Sequence, residues 1–191
     1  AKGLNAKGLT VAVVGYDLCP QVRVSDIIRQ VRQACLFLFW RYGQRMLVSG
    51  HSAGGHLAAC MVATDWSALD DGAPPDMIPS GLAISGVFDL APLLGLPQNQ
   101  DLRLTPEEAR QVSPIHWEVG PGRALDIAVG GAESPAFRAQ SRALADAWSA
   151  RGVATTFREI PGANHFTALD PLPDANGDMV RGLVAMAQKL G

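Results

Sequence analysis

The clearest structural signal in this chain is Arg45-Met-Leu-Val-Ser-Gly50-His51-Ser52-Ala53-Gly54-Gly55-His56. Its first half is short and apolar, which predicts a buried strand, and the apolar residues that follow to about position 64 predict a helix. The turn between the two fits G-x-S-x-G, a pattern in which the serine occupies a sharp strand-to-helix turn. The segment therefore predicts one strand–helix unit with a serine exposed at its junction.

The same alternation of strand and helix continues on both sides of this unit. Further strands are predicted at 9–16, 81–85, 125–129 and 153–160, and further helices at 24–40, 135–150 and 178–190. Five strands that alternate with helices are typical of a mostly parallel sheet with helices on both faces. We therefore expect an α/β fold. Because no change in composition divides the chain, residues 1–191 are interpreted as one domain.

Composition and charge exclude several classes of protein. The chain is 48% hydrophobic and carries a formal net charge of −2. The apolar content excludes intrinsic disorder, and the near-neutral charge argues against nucleic-acid binding. The longest apolar runs, 34–40 and 57–63, are far shorter than the roughly 20 residues that a membrane-spanning helix needs, so no membrane span is expected.

The cysteines and histidines give no sign of a metal centre. Cys19, Cys35 and Cys60 stand in unrelated contexts without the spacing of metal ligands, and the histidines are scattered along the chain. Unpaired cysteines are typical of a reducing compartment, so we expect a cytoplasmic protein. No metal or organic cofactor is predicted, and a homodimer remains open.

Ser52 is the predicted nucleophile. A strained backbone at a strand-to-helix turn would raise its hydroxyl above the sheet edge. We expect Gly50 and Gly54 to flank it because side chains there would collide in so tight a turn. The helix that follows would direct free N–H groups at a developing oxyanion, and the N–H of Ala53 is the expected donor.

A serine hydroxyl needs a base, and His165 is the predicted one. It lies in Pro-Gly-Ala-Asn-His-Phe, just after the last predicted strand, and hence at the same sheet edge as the nucleophile. His51 and His56 are too close to the turn to act as bases and are interpreted as packing residues. His116 lies in an irregular segment and is interpreted as structural or substrate-lining.

The third member of such a triad is a carboxylate that orients the histidine, and Glu133 is the predicted one. It follows the strand at 125–129 directly. Asp89, which follows the third predicted strand, is the alternative, although it is better explained as fixing its own loop. Asp126 lies near the start of its strand, at the opposite end of the sheet, and cannot reach.

These motifs resemble the α/β-hydrolases of the hormone-sensitive-lipase-like branch and, within it, the kynurenine formamidases. The resemblance extends over essentially the whole chain, and four segments and a histidine carry it: 14–20, 50–57, 85–90, 130–141 and His165. The run Gly-Ala-Glu-Ser-Pro-Ala-Phe-Arg-Ala-Gln-Ser at 131–141 is the most specific. Its counterpart in formamidases carries the triad acid at the position of Glu133.

The resemblance implies a serine hydrolase that converts N-formyl-L-kynurenine to kynurenine and formate in tryptophan catabolism. It implies Ser52, His165 and Glu133 as catalytic residues, Ala53 as an oxyanion donor, and a small-molecule substrate. A small-acyl carboxylesterase on the same triad is the alternative. A catalytically silent, hydrolase-like binding module is the alternative from another class.

One departure from that family concerns the oxyanion hole. The family carries a His-Gly-Gly-x-Trp segment before the strand that matches 9–16, and it supplies further oxyanion donors; this chain has no counterpart. The first strands of the family's sheet are also missing here. We therefore expect these residues to belong to a longer protein, and residues 9–16 to form an exposed edge strand.

Overall fold

Four parallel strands form the sheet of the computed structural model, which describes residues 1–190. They are β1 (Leu47–His51), β2 (Ser80–Ile84), β3 (Ala124–Gly130) and β4 (Ala154–Ile160), and they lie side by side in sequence order. Their carboxyl ends are in register, since His51 pairs with Ile84, Ile84 with Ala128, and Gly130 with Ile160. The loops that follow the strands therefore emerge at one edge of the sheet.

Helices cover both faces of the sheet, which confirms the predicted architecture. They are α1 (Lys2–Asn5), α2 (Val24–Tyr42), α3 (Ala53–Ala63), α4 (Asn99–Leu102), α5 (Pro106–Gln111), α6 (Pro135–Ser149) and α7 (Asp178–Ala187). Short 3₁₀ helices lie at Ala91–Gly95, Pro114–His116 and Thr167–Leu169. None of the helices within residues 1–190 is both long and apolar enough to cross a membrane.

Alternation along the strands divides the core into two layers. On one face, α2, α3 and α6 pack against inward residues such as Ala83 and Ile127. On the other face, α7 packs against Leu82, Ile84 and Ala128. Side chains that alternate along each strand thus serve both layers, as expected for a parallel sheet buried on both sides.

The strand predicted at 9–16 is wrong. Residues 9–17 form no sheet pairing, and the only partner of β1 in the described chain is β2. Val14 and Tyr16 pack against the core, whereas Val13 is 86% exposed. An apolar, β-branched sequence favours a pleated surface, but a strand also needs a neighbouring backbone to bond with. In the described chain no strand lies paired beside this segment, so the sheet has four strands instead of five.

Candidate active site

Three of the predicted site residues meet at the carboxyl edge of the sheet. Ser52 directly follows β1, while Glu133 and His165 lie in the loops that follow β3 and β4. The Ser52 hydroxyl lies 3.0 Å from Nε2 of His165, and Nδ1 of His165 lies 2.7 Å from Oε2 of Glu133. The aligned ends of the parallel strands thus join serine, imidazole and carboxylate in one hydrogen-bonded chain.

Ser52 has a strained backbone. Its φ of 56° and ψ of −118° lie outside the regions that side-chain-bearing residues favour. Two backbone hydrogen bonds stabilise this conformation. The N–H of Ser52 donates to the carbonyl oxygen of Ile84 in β2, and the carbonyl oxygen of Ser52 accepts from the N–H of Gly55. The next residue, Ala53, begins α3, so its N–H has no hydrogen-bond partner within the helix.

Not every glycine around the turn is needed to avoid a collision with a side chain, although the sequence predicts such a collision at both Gly50 and Gly54. A Cβ at Gly50 would lie 2.1 Å from the carbonyl oxygen of Gly54, and one at Gly55 would lie 2.8 Å from that of Ile84. A Cβ at Gly54, however, would meet open space. The expected collision at Gly54 is therefore wrong, because this residue already lies in the first turn of α3. Gly50 and Gly55 are the positions that allow close backbone approach.

This difference gives a stability prediction. We expect Gly50→Ala to destabilise the protein by about 1–3 kcal/mol, because the new methyl group would meet a backbone oxygen that cannot move aside. Gly54→Ala is the matched control, and its free energy of unfolding should be unchanged or higher, since alanine is the better helix former. Thermal unfolding measures both, at roughly 2–4 °C per kcal/mol for a chain of this size. Equal midpoints for the two variants would contradict the close approach at Gly50.

The Glu133 carboxylate is buried, and both of its oxygens accept hydrogen bonds. Its Oε1 accepts from the backbone N–H of Gly130 at 2.7 Å and from the hydroxyl of Ser85 at 2.5 Å, while Oε2 faces His165. Burial alone would raise the pKa of Glu133, but the hydrogen bonds from Ser85, His165 and Gly130 outweigh it and hold the pKa below its usual value. Glu133 is therefore a carboxylate at neutral pH. Its contribution to stability is present above the usual glutamate pKa and is lost as the pH falls through the lowered one.

Three rings surround the imidazole of His165. The ring centroids of His51 and Phe137 lie 4.5 and 4.6 Å from that of His165, and Phe166 lies edge-on at 5.7 Å. Nε2 of His51 donates to the carbonyl oxygen of His165 at 2.7 Å. Burial lowers the pKa of His51, so that this ring is neutral near pH 7. His51 thus packs against the predicted base, in agreement with its interpretation from the sequence.

The remaining candidates have other partners. His56 is buried and donates to the carbonyl oxygen of Val112 at 2.6 Å. Asp89 accepts from the N–H of Ala91 in its own loop. Asp126 lies toward the amino end of β3 and accepts from the hydroxyl of Thr156. His116 ends the 3₁₀ helix at Pro114–His116.

Sequence reasoning missed Ser85. It directly follows β2, is completely buried, has a φ of 50°, and donates its hydroxyl proton to Glu133. Its place at the carboxyl end of a parallel strand was the one available signal. The sequence carries no mark of the positive φ that aims its side chain.

No cluster of three or more His, Cys, Asp or Glu side chains suited to a metal ion occurs within residues 1–190.

The chain matches a known protein family over most of its length. That family is described as alpha/beta hydrolase fold, and it matches residues 4–169.

Two curated relatives are fish kynurenine formamidases. The protein of Danio rerio is 31% identical over 193 residues, which cover 97% of this chain and 65% of that protein. The protein of Salmo salar is 32% identical, with 96% and 64% covered. The chain thus spans just under two thirds of the length of these relatives.

The chain is also similar to solved structures. A candidate thioesterase from Silicibacter sp. TM1040 is 32% identical and superposes with a TM-score of 0.82, covering 96% of this chain and 67% of that one. The arrangement of sheet and helices is therefore shared with an experimentally determined relative.

Proposed function

The chain belongs to the α/β-hydrolase family, and on that premise we propose that it is a serine hydrolase with Ser52, His165 and Glu133 as its catalytic triad. The observation that carries the proposal is the unbroken hydrogen-bonded chain from the Ser52 hydroxyl through the imidazole to a buried carboxylate. The strained serine at the start of α3 supports it, because this backbone presents the hydroxyl beside free helix N–H groups.

Each residue has a separate task in the proposed mechanism. The Ser52 oxygen attacks the carbonyl carbon of the substrate while Nε2 of His165 takes its proton. The carbonyl oxygen becomes an oxyanion, and the N–H of Ala53 donates a hydrogen bond to it. The imidazolium then protonates the leaving group, and Glu133 stabilises the positive charge meanwhile.

Deacylation repeats these steps with water. His165 takes a proton from the water, whose oxygen attacks the acyl carbon. The tetrahedral intermediate collapses, the acid product leaves, and Ser52 regains its proton from the imidazolium.

The substrate we propose is the formamide of N-formyl-L-kynurenine, giving kynurenine and formate. Similarity to two proteins named kynurenine formamidase supports this choice. The second candidate is a small-acyl carboxylesterase, and the similarity to a candidate thioesterase of comparable identity favours it. Both reactions use the same triad and differ in the leaving group.

Relative turnover of the two substrate classes decides between them. We expect kcat/KM for N-formyl-L-kynurenine to exceed that for p-nitrophenyl acetate by tenfold or more, which corresponds to about 1.4 kcal/mol of differential transition-state stabilisation. Both are measured on one preparation, with the active sites counted by titration with a fluorophosphonate. Equal or reversed values would favour the carboxylesterase.

A cytoplasmic location is a further part of this proposal. Cys19, Cys35 and Cys60 are all free, and burial raises the pKa of Cys35 to about 12. Free thiols are typical of a reducing compartment. Fractionation of cells that produce the natural protein tests the location.

A further inference from the structure

We infer that Ser85 is a positioning residue, whose hydroxyl holds the Glu133 carboxylate in the orientation that serves His165. This inference rests on the proposed function, since it assigns Ser85 a part in the same triad. Ser85 donates its hydrogen bonds to the carbonyl oxygen of Ala128 and to the carboxylate of Glu133, and to neither Ser52 nor His165. It would act only through Glu133.

The backbone of Ser85 is held in an unfavourable conformation. Its φ of 50° is uncommon for a residue with a side chain, and such strain persists only where the surroundings enforce it. The N–H of Ser85 donates to the carbonyl oxygen of Ala128 at 2.8 Å, which fixes the end of β2 against β3. In this conformation the side chain points to the adjacent loop, where Glu133 lies.

The direction of the hydrogen bond between Ser85 and Glu133 is unambiguous. An ionised carboxylate can only accept, so the single hydroxyl proton of Ser85 is donated to Oε1. The N–H of Gly130 donates to the same oxygen. Two donors on Oε1 therefore set the plane of the carboxylate and leave Oε2 for Nδ1 of His165.

A second contact fixes the loop that carries Ser85. Oε1 of Gln140 accepts from the N–H groups of Phe88 and Asp89 at 3.0 and 2.9 Å, and its Nε2 donates to the carbonyl oxygen of Asp89 at 2.9 Å. Gln140 lies on α6, the helix that begins two residues after Glu133. The loops that carry Ser85 and Glu133 are thus tied to each other by both a side chain and a helix.

Loss of the hydroxyl would raise the pKa of Glu133. With one donor fewer, the negative charge of the carboxylate is less dispersed, so the carboxylate holds a proton more tightly. The titratable groups that face Glu133 are His165 and, beyond it, His51. Because the triad needs Glu133 in its ionised form, the acid limb of activity would move to higher pH. A carboxylate held by one donor fewer would also orient the imidazole less well.

The experiment compares Ser85→Ala and Ser85→Gly with Ser141→Ala. Glycine tolerates the positive φ of position 85, so the second variant removes the hydroxyl without strain. Ser141 is a matched control, because it is an equally buried serine whose hydroxyl has no partner within residues 1–190. For each protein we would measure kcat and KM, the rate at which a fluorophosphonate labels Ser52, and the pH dependence of both.

We expect both Ser85 variants to lose about 10- to 100-fold in kcat and in labelling rate, with KM changed less than twofold. Their acid limbs should move to higher pH, while Ser141→Ala behaves as the unaltered protein. If both Ser85 variants are labelled at the rate of the unaltered protein, with the same kcat and the same pH profile, the inference is overturned and the proposed function stays intact. A rate loss without any shift of the acid limb would overturn it also, since that indicates a structural role alone. If the unaltered protein is neither labelled nor active, the proposed function fails and the inference with it.

Discussion

Ser52→Ala is expected to reduce kcat by roughly 10⁴- to 10⁶-fold and to abolish labelling by a fluorophosphonate. The variant lacks the oxygen that attacks the substrate, and no second hydroxyl takes its place at Nε2 of His165. The fold should be unaffected, because alanine accepts the φ of 56° no less readily than serine does. Circular dichroism and thermal unfolding would verify this, and mass spectrometry of the labelled protein would locate the adduct.

Ser149→Ala is a suitable control for this experiment. Ser149 is exposed at the end of α6, far along the chain from the turn that carries Ser52. Its loss should leave kcat and labelling unchanged. An adduct on any serine other than Ser52, or turnover retained in Ser52→Ala, would show that the nucleophile is another residue.

Much of the sheet could be predicted from the sequence, because buried parallel strands consist of short runs of apolar residues. The strand predicted at 81–85 is found at Ser80–Ile84, and that predicted at 125–129 at Ala124–Gly130. The segment at 9–16 has the same kind of sequence and forms no strand. A single segment reveals its preference for a pleated surface, but not whether a partner lies beside it.

The candidate site could be predicted in part for a topological reason. Residues that follow parallel strands share one edge of the sheet, so the sequence alone predicts that Ser52, Glu133 and His165 lie close together. The open space at Gly54 and the hydrogen bond from Ser85 to Glu133 could not be predicted in this way. The space around Gly54 and the direction of the Ser85 side chain depend on backbone angles and on neighbours from other elements, which no local pattern reveals.

Glu133→Gln is expected to lower kcat by about 10⁴-fold while leaving the fold intact. The reason lies in the donors around the side chain. The hydroxyl of Ser85 and the N–H of Gly130 both donate to Oε1, so the amide of the variant must keep its oxygen there. Its NH₂ group then faces Nδ1 of His165 as a donor, where the carboxylate was an acceptor.

That reversal would place the imidazole in the wrong tautomer. Nδ1 would accept from the amide, so Nε2 would carry the proton and could no longer take one from Ser52. The neutral amide would also fail to stabilise the imidazolium. Asp89→Asn is the matched control, because Asp89 undergoes the same chemical change but its carboxylate accepts from the N–H of Ala91 and takes no part in the hydrogen-bonded chain of the triad. The kcat values of the two variants are compared at one pH. If Asp89→Asn loses most of its kcat while Glu133→Gln keeps nearly all of it, Asp89 and not Glu133 orients the base.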